Sequence, residues 1–347
     1  MRNKKLFIIG VDHETHVGRQ LKKSADKLGI PCFIYDSRQA YKGLFVLKKL
    51  KWFLDKKPNS IRTFSQNVLH KIQKSRPDLI LSTGIAPLET GSLKEIKKQG
   101  IFVTNYSTDD PWNTAHRAEW FLKTLPYYNT VFSTRRANLD EFRCAGVEQV
   151  KYLPFGYDPG LYFPDDVGLM LDVRRNEETK VFLAGGGDVD RYPLVKALKE
   201  AGIGLSLWGG YWEKAGLPSG GFLDAAEIRR EAARCMVSLI LVRRANRDGS
   251  AMRSFEIPAC GACCVAEDTE EHREMFGPNG EAVLYFRTPE ELVRRVNEAF
   301  GNPELRAKLR RNAHRAITGK PNTYVDRLRS ILEAVGENSR QDAKVAK

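Results

Sequence analysis

The chain is organised around an alternation of short, uninterrupted apolar runs with stretches of helical periodicity. Apolar runs of this kind, separated by helices, are typical of a parallel sheet that is covered on both faces. In the first half of the chain the predicted strands are Leu6–Gly10, Pro31–Tyr35, Asp78–Ser82, Ile101–Asn105, Thr130–Thr134 and Val150–Leu153. Helical patterns, for example over 88–98 and 137–145, lie between these strands.

The alternation stops at Pro154–Pro164, which holds three prolines and two glycines, and it restarts near residue 180. Regular structure is disfavoured in such a stretch, so it marks a linker. The predicted strands of the second half are Lys180–Ala184, Gly204–Trp208, Val237–Val242, Ala262–Ala266 and Ala282–Phe286. Two doubly wound α/β domains facing each other across a cleft follow from this pattern.

The predicted domain bounds follow the same rhythm. They are a first domain over 1–160, a linker over 161–178, a second domain over 179–320, a closing helix over 321–335 and a flexible polar tail over 336–347. A length of 347 residues suits two domains of ~150 residues each.

Composition restricts the class of partner. The formal net charge is +13 and the sequence pI is about 9.4, which favours anionic ligands without choosing among phosphates, nucleic acid and an acidic membrane. No helix-turn-helix, zinc-finger or aromatic–basic RNA motif is found, so we expect no nucleic-acid partner. A basic nucleic-acid-binding or regulatory protein stays the alternative from another class.

The first apolar run, Leu6–Ile9, is too short for a signal-peptide core, and no run approaches the ~20 apolar residues of a membrane span. The sequence therefore predicts a cytoplasmic protein. The basic and aromatic stretch 41–57 fits peripheral contact with the inner face of the membrane, or else an amphipathic helix packed on the sheet.

The six cysteines fit a reducing compartment. Cys260 and Cys263 have the spacing of a metal knuckle or a redox pair, but no second pair and no histidine pair accompanies them. We favour packing as small hydrophobes over zinc or redox chemistry.

The most specific motif is Arg253-Ser-Phe-Glu256-Ile-Pro-Ala-Cys-Gly261-Ala-Cys-Cys-Val265. It resembles the two-domain GT-B glycosyltransferases, and within them the CgeB-like (spore maturation protein) branch, over about 77–335. The resemblance implies that Glu256 accepts hydrogen bonds from the donor's ribose hydroxyls and that Arg253 binds its diphosphate. Asp248 stands where related retaining enzymes often carry a second glutamate. The resemblance also implies that the last helix crosses back to the first domain.

Other segments match the same pattern in order. Gly185 and Gly186 end the first strand of the second domain and allow the backbone to approach phosphate, while Arg191 offers a forked cation. Later strand ends carry Trp208 and the pair Gly221-Phe222, where amides and an aromatic face could read a nucleobase. Glycines after a strand are also common turns, and Gly185-Gly-Gly187 is not a dinucleotide fingerprint.

Three residues are candidates for catalysis. Asp109 and Asp110 match the family's acidic strand end before Pro111, and either could instead cap the following helix. His13 follows the first strand and is either a loop histidine or a base that activates the acceptor.

Taken together, these residues and the resemblance imply a hexosyltransferase that moves a sugar from a nucleotide-diphosphate sugar to a glycan, lipid-linked or protein hydroxyl. The role in cell-surface polysaccharide synthesis is part of the same resemblance. No cofactor and no metal are expected, because Asp188-Val-Asp190 is the only Asp-x-Asp nearby and cations could replace a metal. The pattern around Glu256 favours retention of stereochemistry. The alternatives are a nucleotide-sugar epimerase of the same fold and a family member that binds a donor without transferring it.

Overall fold

The computed structural model describes residues 4–42, 56–115, 117–165 and 178–345. The chain divides into two compact units. The first unit comprises Met1–Pro154, Ala245–Arg247 and Tyr324–Lys347, and the second unit comprises Phe155–Arg244 and Asp248–Thr323.

The first unit is built on a six-stranded parallel sheet whose strand order is β2-β1-β3-β4-β5-β6. Its central strands are buried along almost their whole length, which is why they read as continuous apolar runs. The strands are β1 (Leu6–Gly10), β2 (Cys32–Asp36), β3 (Leu79–Thr83), β4 (Phe102–Ser107), β5 (Thr130–Ser133) and β6 (Gln149–Tyr152).

Helices cover this sheet with their apolar stripes. Phe64, Val68 and Ile72 recur at helical spacing on one helix and are fully or almost fully buried in the core of the first unit. The helices are α1 (Val17–Lys27), α2 (Ile61–Ser75), α3 (Thr90–Lys98), α4 (Glu119–Leu122) and α5 (Leu139–Cys144).

The second unit repeats the architecture with five parallel strands in the order β11-β10-β9-β7-β8. The strands are β7 (Glu178–Ala184), β8 (Gly204–Trp208), β9 (Cys235–Ile240), β10 (Cys264–Glu267) and β11 (Leu284–Phe286). The helices are α6 (Tyr192–Glu200), α7 (Ala225–Arg234), α8 (Arg253–Ala259), α9 (Glu270–Phe276), α10 (Pro289–Gly301) and α11 (Pro303–Thr318). Their starts are marked by local chemistry, for example the capping box of Asp224 and Glu227 on α7.

The closing helix α12 (Tyr324–Val345) belongs to the first unit and packs against α1, as the resemblance implied. The expected end of this helix at Val335 is wrong, because the helix runs on to Val345. Gly336 does not stop it, since a single glycine costs only ~1 kcal/mol and no proline follows.

The expected domain boundary near residue 160 also shifts. The chain enters the second unit at Phe155, because the segment after it is tied to that unit's own residues. Tyr157 donates its amide to the Asn322 carbonyl at 3.1 Å and pairs with Thr323. Most of the linker expected over 161–178 lies outside the described residues, as does most of the basic stretch 41–57.

Both strand orders contain one reversal, between β1 and β3 in the first unit and between β7 and β9 in the second. Connections leave such a point in opposite directions, which opens a crevice beyond the carboxyl ends of the strands, where ligands of doubly wound sheets bind. The loops after these four strands are therefore the places to look for chemistry. Among the described residues, no helix is both long enough and apolar enough to cross a bilayer.

Packing of α12 gives a first testable prediction. Leu328 is fully buried, so Leu328→Ala removes buried methyl groups and leaves a cavity. We expect the free energy of unfolding of the first unit to fall by about 2–5 kcal/mol in urea denaturation. Arg329→Ala, on the exposed side of the same helix, should change it by less than about 0.5 kcal/mol. Equal effects of the two substitutions would contradict this packing.

Candidate active site

The crevice of the second unit is bridged by one buried guanidinium. Arg191 is 8% exposed and donates to the Gly186 carbonyl at 2.8 Å, after β7. It also donates to the carbonyls of Leu241 and Val242, at 3.2 and 3.3 Å, after β9. Burial lowers the pKa of Arg191, and these bonds compensate for the lost solvation. The cation predicted to bind phosphate therefore fixes the shape of the crevice.

A second, more exposed arginine lies beside the glycine turn. The Arg243 side chain is 41% exposed, and a Cβ placed on Gly186 would lie 3.8 Å from its Nη2. Its one ion-pair contact among the described residues is long, 3.9 Å from Nε to Asp188 Oδ2. Asp248 joins this group, because its amide donates to the Arg243 carbonyl and its charge acts on Arg191. Arg243 therefore presents a solvated cation next to the backbone of Gly186.

The start of α8 carries the predicted pair Arg253 and Glu256. Glu256 is 1% exposed and its carboxylate is ion-paired with Arg253, while the Arg253 side chain is 31% exposed. Arg253 Nε also donates to the Ala184 carbonyl at the end of β7, at 3.3 Å. The buried Tyr162 hydroxyl lies beside both charged groups. Burial, and then the Glu256 charge, raise the pKa of Tyr162. Glu256 is thus occupied, and Arg253 is the member that reaches solvent.

The loops after β8 bring the predicted nucleobase residues together. Gly209 has φ +121° and donates to the Gly221 carbonyl, and any side chain on it would collide with the Gly185 carbonyl. Trp208 covers this turn and donates its indole N–H to Ser206 Oγ at 2.8 Å. Phe222 is 86% exposed. These loops offer aromatic surface at the end of β8.

A buried histidine holds the first turn of α8. His272 Nδ1 lies 2.7 Å from the Glu267 carbonyl and Nε2 lies 2.8 Å from Ser254 Oγ. A carbonyl only accepts, so Nδ1 carries the proton and Nε2 accepts from the hydroxyl. Burial lowers the pKa of His272 to about 4. The neutral imidazole thereby holds Ser254, the neighbour of Arg253, against the end of β10.

In the first unit, Asp109 and His13 lie at the crevice between β1 and β3. A Cβ on Gly84, after β3, would lie 2.9 Å from Asp109 Oδ2. His13 is exposed, and its ring lies edge-on to that of His16 with 5.6 Å between centroids. Partial burial first, and then the charge of His13, lower the pKa of His16, while Asp109 acts in the opposite direction. The carboxylate and the two imidazoles therefore share one electrostatic neighbourhood.

Asp110 is placed differently from its neighbour. It is fully buried and accepts two hydrogen bonds from Arg247, at 2.7 and 3.0 Å, and a third from the Trp112 amide. Arg247 also binds Glu141, and its backbone is in the left-handed region at φ 53°. Asp110 thus caps a turn and not the predicted helix, since the next helix, α4, begins only at Glu119. Its part in catalysis stays a prediction.

The cysteine pair lies in the core. Cys260, Cys263 and Cys264 are buried, and burial raises the pKa of the Cys260 thiol to about 12. A thiol in that state is a poor metal ligand or nucleophile at neutral pH. Among the described residues, no group of three or more His, Cys, Asp or Glu side chains is arranged to hold a metal ion.

The sequence analysis did not identify Arg243, His16 or Tyr211 as candidate site residues. The Tyr211 side chain is 60% exposed and lies beside Gly186. Two of them follow strands and were detectable in principle: His16 stands three residues after His13, and Arg243 directly follows the apolar run 237–242. Tyr211 gave no comparable signal, because its exposure depends on a left-handed backbone at φ 72°.

The family model described as "Glycosyl transferase-like" matches residues 191–333, which contain most of the crevice just described. No curated protein matches the sequence.

Solved structures resemble the whole chain at low identity. Sucrose-phosphate synthase from Thermosynechococcus elongatus superposes with a TM-score of 0.71 at 13% identity, covering 99% of this chain and 100% of that one. Anabaena Alr3699/HepE in complex with UDP and glucose gives 0.64 at 14%, covering 96% and 100%. The T4 phage protein BGT in complex with its UDP-glucose substrate gives 0.60 at 15%, covering 95% and 99%. The chain therefore has the GT-B glycosyltransferase fold.

The buried imidazole predicts how stability depends on pH. The folded pKa of His272, about 4, lies below the ordinary value of 6.5, so the unfolded chain binds more protons between these values and stability falls as pH falls through them. We expect wild type to lose about 2 kcal/mol more between pH 7.5 and pH 5 than His272→Gln, in urea titrations. Ser254→Ala keeps the imidazole and should keep the wild-type slope. Identical slopes in wild type and His272→Gln would refute this assignment.

Proposed function

We propose that this protein is a glycosyltransferase that takes a hexose from a nucleotide-diphosphate sugar, with the second unit as the donor-binding unit. The observation that carries the proposal is the crevice between β7 and β9. It combines a glycine turn, the exposed Arg243 and the partly exposed Arg253. The family model over 191–333 supports it, as does the fold shared with sugar-nucleotide complexes.

The diphosphate is the part of the donor that this crevice suits best. Gly185 and Gly186 have no side chains to keep a phosphate from the backbone, and Arg243 and Arg253 supply charge that can be bidentate. Both guanidinium groups would also stabilise the charge that develops on the leaving diphosphate. The base and ribose would lie towards the loops after β8, where Trp208 and Phe222 offer apolar faces.

The buried ion pair between Arg253 and Glu256 has to open when the donor binds. Glu256 can accept ribose hydroxyls only if Arg253 releases at least one of its oxygens. A diphosphate that attracts Arg253 would free the carboxylate, and the adjacent Tyr162 hydroxyl could donate to it meanwhile. In this proposal the two donor groups bind cooperatively through one pair of side chains.

Acceptor activation is assigned to the first unit. Asp109 and His13, together with His16, form the group of potential bases at the β1–β3 crevice. Retention of stereochemistry is the outcome we propose, on the pattern around Glu256, with Asp248 in place of the second acidic residue. In that case the diphosphate oxygen assists the acceptor, and Asp109 orients it.

Donor binding can be tested without knowing the acceptor. We expect UDP to bind the purified protein by calorimetry, because two of the structural neighbours are complexes with UDP or UDP-glucose. Arg243→Ala should weaken UDP binding about tenfold, which is the loss of one charged hydrogen bond. Arg230→Ala, an exposed arginine on α7, should change it less than about twofold. No binding of any sugar nucleotide in a panel of donors would refute the proposal.

Product analysis with UDP-hexose distinguishes a glycosyltransferase from an epimerase, and the same assay with a chelator tests whether a metal ion is needed. Because arginines carry the phosphate charge here, release of UDP from UDP-hexose should persist in excess chelator at more than about half its initial rate. Loss of activity that magnesium restores would contradict metal independence. Conversion of the donor to an epimer without any acceptor would instead identify an epimerase.

A further inference from the structure

The first unit contains a cavity of 670 Å³ that is separate from the residues assigned above. Its size falls within the ~300–1,000 Å³ typical of small-molecule sites. It lies at the carboxyl edge of the first sheet, because it is lined by the loop after β3, the beginnings of α2 and α3, and the segment after β4. Ligands of doubly wound sheets bind at this edge.

The lining is cationic. Its charged side chains are Lys56, Lys57, Arg117 and Lys123 against Glu89 and Glu119. Each carboxylate neutralises one cation: Arg117 Nε lies 2.7 Å from Glu119, and Lys57 Nζ lies 3.9 Å from Glu89. Among the described residues, the exposed Lys123 ammonium has no ion-pair partner. A net positive field therefore remains inside the cavity.

The backbone adds to this field. Helices α2 and α3 both begin at the cavity, and neither carries an acidic residue in its first turn or a side-chain cap. The Ile61 amide donates to the Pro58 carbonyl at 3.4 Å, but no side chain caps either helix start, and the positive ends of the two helix dipoles favour an anion. One wall is apolar, formed by Ile61, Leu88 and Trp120, and the Trp120 indole is fixed by donating to the Lys56 carbonyl at 3.2 Å. A ring or a chain could pack there while an anionic group meets the cations.

We infer that this cavity binds a phosphate-bearing group of the acceptor, which extends the proposed function to a phosphorylated acceptor. Carboxylates are disfavoured, since several cations and two helix starts converge on one small volume and a phosphate carries more charge and more acceptor oxygens. The same chemistry is offered by a soluble sugar phosphate and by a lipid-linked diphosphate.

The test measures anion binding by calorimetry with UDP present in excess, so that the donor crevice is filled. Inorganic pyrophosphate is the probe. We expect it to bind wild type and to bind the double variant Arg117→Glu, Lys123→Glu at least about tenfold more weakly. Lys98→Glu makes a charge change of the same kind on the exposed face of α3, where Lys98 is 75% exposed, and should leave pyrophosphate binding within about twofold.

Each result decides the matter. No pyrophosphate binding to wild type, or an equal loss in Lys98→Glu, would overturn the inference. UDP binding is recorded on the same proteins: if it persists in the double variant while pyrophosphate binding is lost, the cavity is an anion site distinct from the donor crevice. If wild type does not bind UDP, the donor proposal fails, and UDP cannot be used to fill the donor crevice. Pyrophosphate binding is then measured in Arg243→Ala, in which that crevice has lost a cation.

Two further titrations identify which kind of molecule carries the phosphate group. A hexose phosphate in solution and a polyprenyl diphosphate in detergent micelles are each titrated against wild type and the double variant. Binding of either one that is lost in the double variant supports the inference and names the source. Binding of neither, or binding that the double variant retains, contradicts an acceptor role for this cavity.

Discussion

The second unit depends on one buried cation. Arg191 joins the ends of β7 and β9 by donating to three main-chain carbonyls, and those two strand ends form the crevice in which the donor is proposed to bind. A guanidinium taken out of water is costly unless its donors are used, so the carbonyls and the arginine hold one another in place. The glycine turn and Arg243 derive their positions from that arrangement.

The loop and helix that follow β9 are held by a second buried polar contact. His272 ties Ser254 to the end of β10, and Arg253 and Glu256 lie one position before and two positions after Ser254 on α8. The polar residues around the crevice therefore fall into two groups. Arg191 and His272 shape the backbone, and Arg243 and Arg253 reach solvent, where a diphosphate could meet them. A rigid support beneath exposed cations suits electrostatic stabilisation of a leaving group, because little reorganisation is then needed.

Much of the fold could be predicted from the amino-acid sequence because buried parallel strands have a plain pattern. The strands Leu6–Gly10 and Gly204–Trp208 agree with the structure at both ends, and the others differ by a few residues. The predicted Val237–Val242 begins two residues earlier, at Cys235, because α7 ends at Arg234 and pairing with β7 starts at once. The ends of a strand depend on its pairing with neighbouring strands, and the local sequence pattern carries no information about that pairing.

The site was less accessible to the same reasoning. Arg191 is engaged by main-chain carbonyls and Glu256 by Arg253, and neither contact follows from residue type. Asp110 meets Arg247, which lies 137 positions further along the chain. Such contacts depend on tertiary structure, which residue type and local pattern do not contain.

Hydrogen–deuterium exchange with and without saturating UDP is the most direct measure of where the nucleotide binds. Slower exchange is predicted at 185–187, 209–211 and 241–244 and at the start of α8, with the sheet of the first unit unchanged. Protection confined to the first unit, or unchanged exchange at all of these loops under conditions where UDP is bound, would contradict donor binding at the β7–β9 crevice.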